Sequence, residues 1–195
     1  MEFEKIIEDL KKKLEPSRFL HSIGVMETAV RLSKTFGADE EKARLAGILH
    51  DSAKWISPED GYELCKKNNI VLDEVSLKNY AVVHQYLGAH LAKTEYGIDD
   101  EEIISAIRCH ATGKENMTKL EKIIYISDMI EPNRKNRPFD GLFELQILCE
   151  KDLDKAVYMG LDLSIKHILG RRKLLHPDTV AARNSVLSEI LEKNS

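Results

Sequence analysis

At 195 residues the chain has the length of one compact domain, 1–195, built on a single hydrophobic core. Its 43% hydrophobic and 32% charged residues exclude a disordered chain, and its net charge of −4 excludes a general electrostatic grip on DNA or RNA. Cys65, Cys109 and Cys149 are odd in number, widely spaced and without a CxxC pair, so they read as half-buried core residues rather than disulfides or a thiolate zinc site. The start, Met1-Glu2-Phe3-Glu4-Lys5, is charged, and no stretch is apolar enough to span a bilayer, so a cytoplasmic protein without membrane contact is expected.

In chain order, Phe3, Ile6, Ile7, Leu10 and Leu14 recur at helical spacing and stop before Pro16. Ser17 is placed to cap a second helix that runs to Phe36-Gly37, where glycine supplies a left-handed end. Asp39 is the expected cap of a third, through Ala43, Ala46 and Leu49 to His50-Asp51. A shorter helix starts at Pro58, and longer ones follow over about 79–96 and 99–110. Thr118 opens another that stops at Pro132; two or three more complete the chain, the last after Pro177. Alternating β-branched runs, repeats and linkers are absent from the sequence, so the predicted class is all-α.

The candidate chemistry is polar residues in apolar settings. His50-Asp51 ends the apolar run Ala43 to Leu49; adjacent helical residues point about 100° apart, so both reach one ion only where the helix is ending. Asp128 lies within Ile123-Ile124-Tyr125-Ile126-Ser127-Asp128-Met129-Ile130, where a core-facing carboxylate costs several kcal/mol unless paired or bound to a cation. His21 sits on a largely apolar helix, His84 follows Ala81-Val82-Val83, and His110 precedes the turn Ala111-Thr112-Gly113, which suits an anion. His90 points to another face and is left out, while His167 and His176 read as surface or structural residues. Asn133-Arg134-Lys135-Asn136-Arg137 is a basic cluster fit for a small anion.

His21, His50-Asp51, His84, His110 and Asp128, in that order on helices, resemble the HD superfamily of metal-dependent phosphohydrolases. Arg18-Phe19-Leu20-His21-Ser22, Leu49-His50-Asp51-Ser52-Ala53-Lys54, Arg108-Cys109-His110-Ala111-Thr112-Gly113 and Ser127-Asp128-Met129-Ile130-Glu131-Pro132-Asn133-Arg134 are similar to the YqeK family within it. The resemblance implies a helical bundle, with a metal core over about 17–131 and C-terminal helices over about 140–193. It further implies symmetrical hydrolysis of diadenosine tetraphosphate to two ADP at an iron site.

Thiolate-free histidine and carboxylate ligands also suit manganese, cobalt or zinc. On this reading His21, His50, Asp51 and Asp128 hold the metal, and Asp51 bridges to a second ion on His84 and His110, or those two histidines contact phosphate. One ion or two is left open. Asp51, His84 and His110 are the expected catalytic residues. Arg18, Lys54, His84, His110, Thr112, Arg134 and Arg137 are expected to bind the polyphosphate, the cations by neutralising its oxygens.

The expected partner is a small nucleotide, with self-association to a homodimer left open. The alternatives are another HD phosphohydrolase acting on guanosine polyphosphates, cyclic dinucleotides or deoxynucleotides, and a non-catalytic nucleotide sensor.

Overall fold

In the computed structural model, residues 2–133 and 139–193 are described, and among them lie eleven helices, a 3-10 turn at Tyr80–Val82 and no strand. The all-α expectation holds. Helix α1 spans Phe3–Lys13, α2 Pro16–Phe36 and α3 Glu40–Leu49. Helix α4 spans Pro58–Lys67, α5 Glu74–Lys78, α6 Val83–Thr94, α7 Glu101–Cys109 and α8 Lys119–Ile130. Helices α9 (Leu142–Cys149), α10 (Leu153–Gly170) and α11 (Pro177–Lys193) complete the chain. No helix among the described residues is long and apolar enough to cross a membrane.

The local signals at the helix ends work as expected in most places. The Asp39 carboxylate accepts the Lys42 N–H, Asp100 accepts those of Glu102 and Ile103, and Thr118 with Glu121 forms a reciprocal capping box. Gly37 closes α2 in the left-handed conformation, at φ 65°. Two expectations are corrected. Ser17 does not cap α2: Glu15 occupies that place and Pro16, whose missing N–H costs nothing in the first turn, opens the helix. The helix expected over 79–96 is broken, because the Asn79 side chain accepts the Ala81 N–H and the Tyr80 hydroxyl donates to the Ile56 carbonyl at 3.1 Å, holding Tyr80–Val82 as a 3-10 turn ahead of α6.

Helices α2, α3, α7 and α8 pack around the centre, α6 lies against α7, and the α10–α11 pair closes over α8. Leu32, Ile48, Leu49, Leu87, Ile107, Ile123, Ile124 and Ile126 are fully buried there, each contributing about 1.5–3 kcal/mol by leaving water. Cys65, Cys109 and Cys149 are buried more deeply than the half-buried places expected of them. Helices α2 and α3 approach closely at Gly47, where an added Cβ would lie 2.8 Å from the Met26 Cα. That contact brings the helices bearing His21 and His50 together.

Candidate metal centre

His50 and His110 occupy the same local position, the residue capping the C-terminus of a helix. The last carbonyls of a helix lack intrahelical partners, and each histidine uses one. His50 Nδ1 lies 2.7 Å from the Gly47 carbonyl and His110 Nδ1 lies 2.8 Å from that of Ile107. Nδ1 must therefore carry the proton in both rings, and each Nε2 presents a lone pair inward. His21, near the start of α2, has Nδ1 3.0 Å from the Glu131 carboxylate, so a proton lies there too and its Nε2 faces inward.

The Nε2 atoms converge. His21 Nε2 and His50 Nε2 are 3.3 Å apart, and His84 Nε2 and His110 Nε2 are 2.9 Å apart. Asp51 stands between the pairs and divides its oxygens: Oδ2 is 3.4 Å from His50 Nε2 and 3.7 Å from His21 Nε2, while Oδ1 is 3.2 Å from His84 Nε2 and 3.6 Å from His110 Nε2. Asp128, on the last turn of α8, brings Oδ1 to 3.0 Å from His21 Nε2. The ring nitrogens and carboxylate oxygens fall into three overlapping sets, each within 4.8 Å: His21, His50 and Asp51; His50, His110 and Asp128; Asp51, His84 and His110. Acceptors facing acceptors in a buried space repel one another unless a cation lies between them. The donor set therefore fits a metal.

Burial opposes charge on His21, but the Asp128 and Glu131 carboxylates outweigh it and raise its pKa. His84 is pushed down to about 3, first by burial and then by the charges of Lys54 and His110, against the pull of Asp51. It is a neutral ring at physiological pH. Its Nδ1 is buried without a hydrogen-bond partner among the described residues, so unlike the other three rings its tautomer is not fixed from outside. Cys109, beside His110, is no thiolate donor, because burial pushes its thiol up to about 12.

Around the cluster, the Arg18 guanidinium donates to Asp51 Oδ2 at 2.8 Å and its side chain is 33% exposed, so it stands at the mouth of the site. Lys54 is exposed on the turn after Asp51. Thr112 is buried, its hydroxyl donating to the Gly113 carbonyl at 2.9 Å and receiving the Gln85 amide at 3.2 Å. Arg134 and Arg137 lie outside the described residues. His90 and the exposed His167 are apart from the cluster, whereas His176 is buried, bonded to Asp73 at 2.9 Å.

Two buried residues with clear work near the site carried no role in the sequence reading. Gln85 accepts the Ala111 N–H and donates to Thr112, tying the helix that bears His84 to the turn after His110. Glu131 holds the His21 ring. An acidic residue directly after the apolar end of α8 was the only signal for the second, and a glutamine inside the buried run of α6 the only signal for the first.

A helical bundle that gathers four histidines and two aspartates in this way defines a class. The HD domain family model matches residues 18–133, and the chain belongs to that family. Among its relatives, a protein of Halalkalibacterium halodurans named symmetrical bis(5'-nucleosyl)-tetraphosphatase is 37% identical, over 95% of this chain and 97% of its own. A Bacillus subtilis protein of the same name is 36% identical over 96% and 99%. A crystal structure described as a predicted HD superfamily hydrolase involved in NAD metabolism from Clostridium acetobutylicum superposes with a TM-score of 0.92 at 42% identity, covering 97% of this chain and 98% of that one.

Proposed function

We propose that this chain is a metal-dependent hydrolase that splits diadenosine tetraphosphate between its central phosphates, giving two ADP. The observation that carries the metal reading is the division of Asp51, with one oxygen toward His21 and His50 and the other toward His84 and His110. That arrangement supports His21, His50, Asp51 and Asp128 as one set of ligands, with His84 and His110 as the second set, sharing Asp51. The relatives' names support the substrate and the symmetrical cleavage. Iron is our assignment of the metal by family resemblance, with manganese, cobalt or zinc also suited to such donors.

Bound there, a metal supplies a water acidified toward neutral pH and polarises a phosphoryl oxygen. The chain's own residues do the rest. Arg18, beside Asp51 and open to solvent, and Lys54, on the exposed turn behind it, meet the negative charge of the polyphosphate. Arg134 and Arg137 are further polyphosphate contacts by the sequence and its family resemblance. Because the tautomers of His50 and His110 are fixed by helix-end carbonyls, their lone pairs need no reorientation when ligand arrives. Thr112 and Gln85 keep the His110 turn in register with α6. The protein acts on a small nucleotide in the cytoplasm on this reading.

The test is a panel of dinucleoside and guanosine polyphosphates, cyclic dinucleotides and deoxynucleotides incubated with metal-loaded protein in oxygen-18 water, with products resolved by mass spectrometry. Symmetrical hydrolysis gives ADP alone from diadenosine tetraphosphate, with label in ADP. Equal AMP and ATP, or preferential turnover of another class, overturns the assignment.

A further inference from the structure

We infer that Glu131 is a positioning residue for the metal centre, fixing His21 through a carboxylate–imidazole contact for which helix α2 is notched at Gly24. The inference rests on His21 being a metal ligand, as proposed above. Glu131 follows the last residue of α8 with extended backbone, φ −54° and ψ 150°, and is only 2% exposed. A carboxylate at that depth is costly unless every oxygen is engaged. Oε1 lies 3.0 Å from His21 Nδ1, and Oε2 accepts the Asn133 N–H at 2.6 Å. The Asn133 side chain then donates to the Leu20 carbonyl at 3.2 Å, fastening the carboxylate's own loop to the helix that carries His21.

The space for this contact comes from a missing side chain. Gly24 stands one turn after His21, and a Cβ there would lie 2.5 Å from Glu131 Oε2 and 3.0 Å from the Asn133 amide nitrogen. Its role is thus one of room for the carboxylate. With its Nδ1 proton held by an anion, the His21 ring is fixed in orientation and its Nε2 becomes a stronger donor toward a cation. Partners of this kind are worth about 10–100-fold in metal affinity. The full positive charge of an ion beside His21 also offsets the cost of burying Glu131.

The test measures Co2+ affinity by competition with a chromophoric chelator, together with the thermal midpoint of the metal-free protein. Glu131→Gln keeps the shape and the acceptor oxygen but removes the charge; Gly24→Ala keeps both residues and displaces the carboxylate. Each is expected to weaken Co2+ binding about 10–100-fold while the metal-free midpoint stays within a few degrees of the parent. The double variant is expected to be about as weak as the weaker single one, because both act on one contact. If parent and both single variants bind Co2+ within twofold of one another, the role of Glu131 is overturned. The same holds if the variants lose metal-free stability with affinity intact, which marks a purely structural contact. A parent that takes up no Co2+ overturns the metal centre itself and is recognisable as that different failure.

Discussion

Two clusters in this molecule pair histidine with aspartate, and they are built in opposite ways. At Asp73, Oδ2 accepts from the Ser76 hydroxyl at 2.6 Å, the Tyr86 hydroxyl at 2.6 Å and His176 Nε2 at 2.9 Å, while Oδ1 accepts the Val75 and Ser76 N–H groups. The other nitrogen of His176 accepts the Asp178 N–H, so donors and acceptors balance within the protein. Around Asp51 the balance lies elsewhere: three rings spend their Nδ1 protons on outside carbonyls or a carboxylate and turn Nε2 atoms on one another and on Asp51, with Arg18 at the mouth as its one guanidinium partner. A self-satisfied network ties α5 to the start of α11, whereas an acceptor-rich one calls for a cation. Composition alone does not distinguish them; the proton count does.

The contrast has consequences in solution. Asp51→Ala removes the oxygens shared by both histidine pairs, so it is expected to abolish bound metal, by elemental analysis, and hydrolysis, with helical circular dichroism nearly unchanged. Full metal content and normal turnover in that variant end the metal reading. His176→Ala is expected to do the reverse, costing about 1–3 kcal/mol in urea unfolding through the lost buried hydrogen bond while Co2+ affinity stays within twofold of the parent. A tenfold loss of affinity there would mean that the two clusters are coupled.

The smallest expected effect is one of pH. The Asp73 carboxyl is held far below its usual value: burial opposes ionisation, but the bonds from Ser76, Tyr86 and His176 override it. A depressed pKa gives stability that is present above the unfolded value of about 3.9 and is lost as pH falls below it. The stability gap between metal-free parent and Asp73→Asn should therefore be flat from pH 7 to about 5 and narrow below about 4. A gap that widens on acidification contradicts this account.

Much of this was legible in the sequence where the determinant is local. Asp39 and Thr118 cap because their side chains reach an N–H three residues on, and Gly37 ends α2 because its backbone tolerates positive φ. The residues of the candidate site were legible for a related reason: Asp128 and His50 are polar where the helix period calls for apolar, and the structure brings them together with His21, Asp51, His84 and His110. What escaped depends on distant partners. His176 reads as either surface or structural among basic neighbours, and the choice is made only when Asp73, 103 residues away, comes to it. Glu131 reads as a helix-end charge until α2 offers His21, and the break at Tyr80 requires the carbonyl of Ile56.

Gly47 joins two facts recorded separately above: it abuts the main chain of Met26, and its carbonyl receives the His50 ring. The distance between the helices bearing His21 and His50 is thus gauged by main chain against main chain, with no side chain interposed. Any residue larger than glycine at position 47 acts as a wedge, lifting α3 from α2 and carrying His50 away from His21 together. The precision of the centre therefore depends on an atom that is missing.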